Sequence, residues 1–419
     1  MSDLEALNVW LEKLVNLHSK EIDLGLDRVR QVGKDLAVLC PAPFVITVAG
    51  TNGKGSSVAM LQAILIASGY RVGAYTSPHI LRFNERIKVN GVEVTDQQII
   101  QAFEMIEQAR KQTTLTYFEF ATLASLVIFS QAKLDVVILE VGLGGRLDAV
   151  NIVDANATLL TSIDIDHVDW LGSDRDKIGF EKAGVMRTGA LAVCSDPAPP
   201  DSVIKYAREI SADLKLLGRD FSYTRYEDKV TFSSDDVCFE FNKPRLKGDF
   251  QSQNAVGVVA LLMAQSRLDV SLASINKGLT SVVNPGRLET LQVDNQAWLF
   301  DVAHNPQSVA VLADYLSNQS QRFDKVIFAG LADKDLLPMV KVMVPYALEW
   351  IAVDLNVGRA LSVEKLVETL TQAGVGFDCI QSAASMQEAV NSVKASTAQK
   401  VLVYGSFITV SQAMELLGG

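Results

Sequence analysis

The segment Ile46–Ser57, ITVAGTNGKGSS, constrains the fold of this chain more than any other. It starts in a run rich in β-branched residues, FVITVA from Phe44, which ends at Gly50. One lysine and several hydroxyls follow. Ser56–Ser68 then places Val58, Leu61 and Leu65 on one helical face, with Gly69 as a C-terminal stop. Glycines let the backbone curl so that successive N–H groups face one anion. The helix N-terminus adds partial positive charge, and Lys54 can reach a β/γ-phosphate. The strict spacing GxxxxGK[ST] is not met, because Val48 stands where its first Gly belongs and Gly55 separates Lys54 from Ser56. The flanking strand and helix still predict that Gly50, Thr51, Asn52, Gly53, Lys54, Gly55 and Ser56 bind phosphate.

The same alternation recurs. RVGAY (71–75), LDVVILEV (134–141), ATLLTSI (157–163) and ALAVC (190–194) are continuous apolar runs separated by helical stretches. Such runs belong to a parallel sheet covered on both faces. The chain opens with a helix: Ser2 and Glu5 fit a capping box, and Leu4, Leu7, Leu11 and Leu14 share a face. Between Phe221 and Phe241 a polar, alternating texture predicts a small antiparallel hairpin at one edge. VVNPGRLE (282–289) has turn chemistry and reads as a hinge. AWLFDVA, KVIFAG, EWIAVD and KVLVYGS then form a second α/β series. The expected fold is therefore α/β. A mostly parallel, P-loop-type domain with a small antiparallel addition spans 1–285, and a smaller Rossmann-like α/β domain spans 286–419.

Length agrees with this, since 419 residues at roughly 150 per domain give two or three domains. Lys plus Arg is 38 and Asp plus Glu 49, for a net charge of −11. A chain this acidic is a poor partner for nucleic acid, whose affinity comes from Lys and Arg neutralising phosphates. The start carries Asp3, Glu5 and Glu12 where a secretory leader would be basic. The apolar stretch 255–264 falls short of the roughly 20 residues a membrane span needs. Cys40, Cys194, Cys238 and Cys379 lie far apart, without a CxxC pair. These features predict a cytoplasmic protein without membrane or nucleic-acid partners. No exposed apolar seam is apparent, which predicts a monomer.

Further candidates follow strand-like runs. Glu140 closes LDVVILE, where ligands of open parallel sheets bind and where a carboxylate can hold Mg²⁺ beside a nucleotide. The glycines after it do not make GxGxxG, because Leu147 sits at the third position. Arg146 and Asp148 share that loop. TSPHILRFNERI (76–87) supplies Ser77, His79, Arg82 and Arg86, and IDIDHVDWLG (163–172) supplies His167. FEKAGVMR (180–187) puts Lys182 on a helix. FDVAHNP (300–306) places Asp301 and His304 after a strand, and Asp301 can accept from a ribose hydroxyl. PGRLE supplies Arg287, while GLADKD (330–335) reads equally well as a solvated loop.

Taken in order, GTNGKGS, TSPHILRFNERI, YFEFAT, LEVGLGGRLDA, IDIDHVDWLG, EKAGVM, PGRLE and DVAHNP resemble the folylpolyglutamate synthase/dihydrofolate synthase family, a branch of the Mur ligases. The opening LHSKEIDLGLDRV resembles its bifunctional bacterial members. The resemblance implies an ATP site between two α/β domains, with Thr51–Ser56 around the triphosphate and Asn254, Arg287 and Asp301 also contacting nucleotide. It implies Mg²⁺, at two sites, held by Ser77, Glu140 and His167 directly or through water. Lys182 matches a lysine that relatives carbamylate to N6-carboxylysine. Lys54, Lys182 and His304 are the implied catalytic residues. Substrate contacts are implied for Ile22, Asp23, Leu24, Gly25, Arg82, Tyr117, Phe118, Glu119, Phe120, Asp148, Ala149 and Val150.

The implied reaction joins L-glutamate to dihydropteroate and to reduced folates through an acyl phosphate, with ATP as co-substrate. A carboxylate is a poor electrophile, so its oxygen must become a leaving group, and the protein mainly positions anions and stabilises charge. That predicts a local positive cleft from Lys54, Arg82, Arg146 and Arg287. The rival readings are a Mur-type peptide ligase of a cell-wall precursor and a P-loop ATPase switch acting on a partner.

Overall fold

The structure, a computed structural model, describes residues 2–418. The chain forms two compact units. The first comprises the chain up to Ile165 with Leu171–Arg245 and Gln251–Val283. The second comprises Asn284 onward with two short excursions, Asp166–Trp170 and Leu246–Phe250. A single cut at residues 285/286 leaves both excursions in the first domain.

The first unit is built on an eight-stranded sheet. Its strands are β1 (Phe44–Ala49), β2 (Val72–Tyr75), β3 (Ile87–Val89), β4 (Val92–Glu93), β5 (Val136–Glu140), β6 (Ala157–Leu160), β7 (Leu191–Cys194) and β8 (Asp213–Leu216). They lie in the order β4-β3-β2-β5-β1-β6-β7-β8, parallel from β2 to β8, with β3 and β4 added antiparallel at one edge. All six residues of β1 and all five of β5 are buried, as strands covered on both faces must be. Helices Tyr117–Gln131 and Phe250–Ala264 are apolar nearly all round and correspondingly buried. The Ser2–Glu5 capping box forms at the first helix, and Trp10 from that helix packs against Phe103 and Phe120.

Residues 221–242 form three strands rather than the expected two. β9 (Phe221–Arg225), β10 (Lys229–Ser234) and β11 (Cys238–Asn242) make a separate antiparallel sheet, because polar turns at 226–228 and 235–237 each reverse the chain.

In the second unit a six-stranded sheet comprises β12 (Glu289–Val293), β13 (Gln296–Asp301), β14 (Phe323–Phe328), β15 (Ala347–Val353), β16 (Ile380–Ala383) and β17 (Lys400–Tyr404). Its order is β12-β13-β17-β14-β15-β16, and β12 alone runs antiparallel, paired to β13. Trp298, Phe300, Phe328, Trp350 and Tyr404 fill its interior. Among the described residues no helix is long and apolar enough to cross a membrane, and all four cysteines are free thiols.

Candidate active site

β1, β5 and β6 are adjacent, and Val48 pairs with Glu140, so the turn after β1 and the end of β5 share one sheet edge. The turn is stitched to the residues after β6. Thr51 N–H donates to the Ser162 carbonyl at 2.7 Å, and the Thr51 hydroxyl donates to the Asp164 carbonyl at 2.9 Å. Gly50 is required: its φ is +150°, and a Cβ there would lie 1.8 Å from the Thr161 hydroxyl oxygen. Gly53 has φ +90° and leaves room for the Asn254 carboxamide, 2.5 Å from where a Cβ would stand. Asn254 is held by Gln251, whose amide also donates to the Ser56 hydroxyl at 3.2 Å. Helix Lys54–Ala67 therefore starts from a left-handed glycine with no side-chain cap, leaving its first N–H groups to the turn.

Two ammonium groups meet at this turn. Lys54 Nζ donates to the carbonyls of Gly50 at 3.0 Å and Thr51 at 2.9 Å. Lys182, buried on helix Arg175–Ala183, donates to the same Gly50 carbonyl at 2.9 Å. Beside them, buried Glu140 accepts from the Ser77 N–H at 3.3 Å. The Glu140 carboxylate and a serine hydroxyl are both hard oxygen donors of the kind that suits Mg²⁺, which keeps waters and shares phosphate oxygens instead of needing an all-protein cage. Among the described residues no cluster of three or more His, Cys, Asp or Glu forms such a cage. His167 lies in the second unit's segment Asp166–Trp170, in a left-handed conformation with φ +51°.

The VGLGGRLDA turn carries Asp148 inward. Its carboxylate accepts from the N–H groups of Gly142, Leu143 and Val150 at 3.0, 2.8 and 3.0 Å. Burial pushes its pKa up to about 6, against the pull of those three bonds and the Lys54 charge. Ala149 and Val150 are buried and shape this turn rather than presenting side chains to solvent. Gly142 lies flat against the Phe118 ring, where a Cβ would come within 2.6 Å. Phe118 and Tyr117 are half-buried, with Tyr75 6.0 Å from Phe118 and Phe83 6.1 Å from Tyr117. This is an aromatic slot suited to a flat heterocycle.

The structure corrects several assignments around that slot. Phe120 is fully buried in the Trp10–Phe103 core. Glu119 uses both oxygens internally, accepting from the Thr116 N–H and from Arg28. Arg82 points outward to Asp96 at 2.9 Å, and Arg146 pairs with Glu181 at 2.8 Å, so neither adds unneutralised charge to a positive cleft. Arg86 takes the inward position instead. It is 7% exposed, lies over the Phe83 and Tyr117 rings, and donates through Nε to His79 Nδ1 at 2.8 Å. Burial, helped by the Arg86 charge, lowers His79 to about 3, so the imidazole is a neutral acceptor. Ile22, Leu24 and Gly25 are half-buried. Asp23 ties their loop down through Lys20, His18 and Arg28.

In the second unit Asp301 closes β13 and accepts from the N–H groups of Leu288 at 3.0 Å and Ala303 at 2.8 Å. Burial raises its pKa, while Arg287, which lies over the Phe407 ring, opposes the rise. Asn305 caps helix Pro306–Asn318. His304 Nδ1 donates to the Val302 carbonyl at 2.9 Å, a bond that fixes where this nitrogen carries its hydrogen. The GLADKD loop is not simply solvated. Lys334 is buried and bonded to Asp166, which also receives Asn305 and faces His304.

A turn of main-chain N–H groups with a lysine, at the strand ends of a parallel sheet, offers the chemistry that phosphate groups bind to. The chain matches the family model of the Mur ligase middle domain over residues 48–262 and that of the Mur ligase glutamate ligase domain over residues 286–407. It is a Mur ligase. It is 42% identical to the dihydrofolate synthase/folylpolyglutamate synthase of Escherichia coli, over 97% of this chain and 94% of that protein. It is 36% identical to the Haemophilus influenzae protein of the same name, over 96% and 95%. A solved structure of E. coli FolC in complex with DHPP and ADP superposes with a TM-score of 0.91 at 40% identity, covering 98% of this chain and 97% of that one. Mycobacterium tuberculosis folylpolyglutamate synthase complexed with ADP gives 0.90 at 26% identity, covering 100% and 99%. Within the Mur ligases, this chain belongs to the dihydrofolate synthase/folylpolyglutamate synthase family.

Proposed function

We propose that the chain ligates L-glutamate, using ATP, to dihydropteroate to give dihydrofolate, and to the γ-carboxylate of reduced folates. One observation supports this reading above the rest: the glycine turn with Lys54 lies on the same sheet edge as the Ser77–Glu140 pair and the VGLGG turn against Phe118. In the reaction the substrate carboxylate attacks the γ-phosphorus of ATP, the bridging P–O bond breaks, and ADP leaves. The glutamate amine then adds to the acyl phosphate, loses a proton, and expels inorganic phosphate as the amide forms.

The Gly50–Ser56 turn and Lys54 hold the triphosphate, with Asn254 beside Gly53, and Arg287 and Asp301 also contact the nucleotide. Tyr117 and Phe118 flank the pteridine ring, Arg86 faces its polar end, and the Ile22–Gly25 loop borders it. Relatives of this fold have been solved with AMPPNP and Mn, and divalent-metal use carries over to this family. Ser77 and Glu140 would hold the cation, with His167 contributing through water, and the bound cation would neutralise phosphate charge. A second cation site fits a carbamate on Lys182, whose nitrogen keeps one N–H for the Gly50 carbonyl. The acidic chain, its four free thiols and the cytosolic supply of ATP fit a cytoplasmic protein.

The test combines protein, Mg-ATP and L-glutamate with dihydropteroate or tetrahydrofolate and follows ADP. Release of ADP that requires both the pteridine and glutamate is expected. Release without the pteridine would instead point to a P-loop ATPase switch.

A further inference from the structure

Asp166 lies next to His167, and its side chain also engages residues far along the chain. It is 8% exposed, and its Oδ1 receives Lys334 Nζ, itself 5% exposed. Asn305 Nδ2 donates to its Oδ2 at 3.1 Å, and His304 Nε2 lies 3.6 Å from the same oxygen. The backbone N–H of His167 donates to Oδ1 at 2.7 Å. All these residues belong to the second unit.

Each partner is aimed by a bond on its far side. Asn305 Oδ1 accepts from the Ser308 N–H at 2.9 Å, which leaves its amide nitrogen to donate. His304 Nδ1 is committed to the Val302 carbonyl, which leaves Nε2 facing Asp166. Lys334 has a weaker contact to Asp333 at 3.5 Å. A buried carboxylate and a buried ammonium each carry a heavy desolvation cost unless paired, so the two hold each other in place.

We infer that Asp166 is a positioning residue for the glutamate half of the reaction. It gathers His304 Nε2, Asn305 Nδ2 and Lys334 Nζ around one carboxylate. All three lie in the stretch matching the glutamate ligase domain, residues 286–407. Asp166 acts through them. This inference rests on the ligase reading above.

The experiment compares the full chain with Asp166→Asn, Lys334→Met and the double variant, titrating glutamate and ATP separately and recording thermal melts. If the unaltered chain shows no glutamate-dependent ADP release, the ligase reading fails. With that activity present, Asp166→Asn raises the KM for glutamate by about tenfold or more and shifts the KM for ATP by less than about twofold. The double variant does no worse than the poorer single one, because residues sharing one contact are non-additive. Should Asp166→Asn not fold, Lys334→Met alone must show the same split. An unchanged glutamate KM would overturn the inference. So would parallel losses for both substrates with a lowered melt, or effects that multiply in the double variant.

Discussion

The two sheets end in chemically different ways. After β1, cations meet neutral main chain: Lys54 and Lys182 both donate to the Gly50 carbonyl, and the turn is shaped by glycines that tolerate no Cβ. After β13 and β14, an amide and an ammonium meet a buried carboxylate, Asp166, and side chains set the geometry. Carbonyl oxygens hold an ammonium in place without cancelling its charge, so the first arrangement stays attractive to a polyanion. A carboxylate neutralises its ammonium, so the second suits orientation of donors more than capture of charge. The difference teaches that one edge is specified by backbone conformation and the other by long-range side-chain pairing.

The comparison breaks most visibly at Lys54. Lys54→Ala should lower kcat by about 10²–10³-fold, the scale for losing one donor to developing charge, while the far-ultraviolet circular dichroism stays unchanged. Activity equal to the unaltered chain would remove the lysine from phosphate binding. Gly50→Ala sharpens the main-chain claim. Its strained φ and the Thr161 clash should cost about 1–3 kcal/mol in chemical denaturation, and stability equal to that of the unaltered chain would contradict the claim.

Asp148 gives a pH test of the first edge. Its folded pKa, about 6, lies above the usual carboxylate value, so the folded state holds the proton more tightly than the unfolded one. This contribution is fully present below pH 4 and is lost as pH rises through 6, about 3 kcal/mol in all. Asp148→Asn should flatten the fall in unfolding free energy over that window, and identical slopes would contradict the assignment. The smallest effect belongs to Arg82. Its exposed pair with Asp96 should contribute under about 1 kcal/mol, so Arg82→Ala should leave stability and the pteridine KM nearly unchanged, while Arg86→Gln should raise that KM.

The first edge was readable because its determinants are contiguous: a buried strand, glycines, a lysine and a helix within Phe44–Ser68. The parallel core strands were legible for the same reason, as continuous apolar runs. The short edge strands β3 and β4 and the third strand of the small sheet lack such a run and emerge only from pairing. Arg82 and Arg86 share a segment, and nothing local says which of them turns under Phe83 and Tyr117. In YFEF nothing local separates Phe118 from Phe120, yet Phe120 enters the core while Tyr117 and Phe118 line the slot. Asp166 and Lys334 are 168 residues apart, so their pairing required the fold.

The most direct measurement is a crystal structure of this chain grown with ADP. The account predicts β-phosphate oxygens within hydrogen-bond distance of the N–H groups of residues 52–56, with the Lys54 ammonium turned toward them. A nucleotide seated elsewhere, with that turn unengaged, would contradict it.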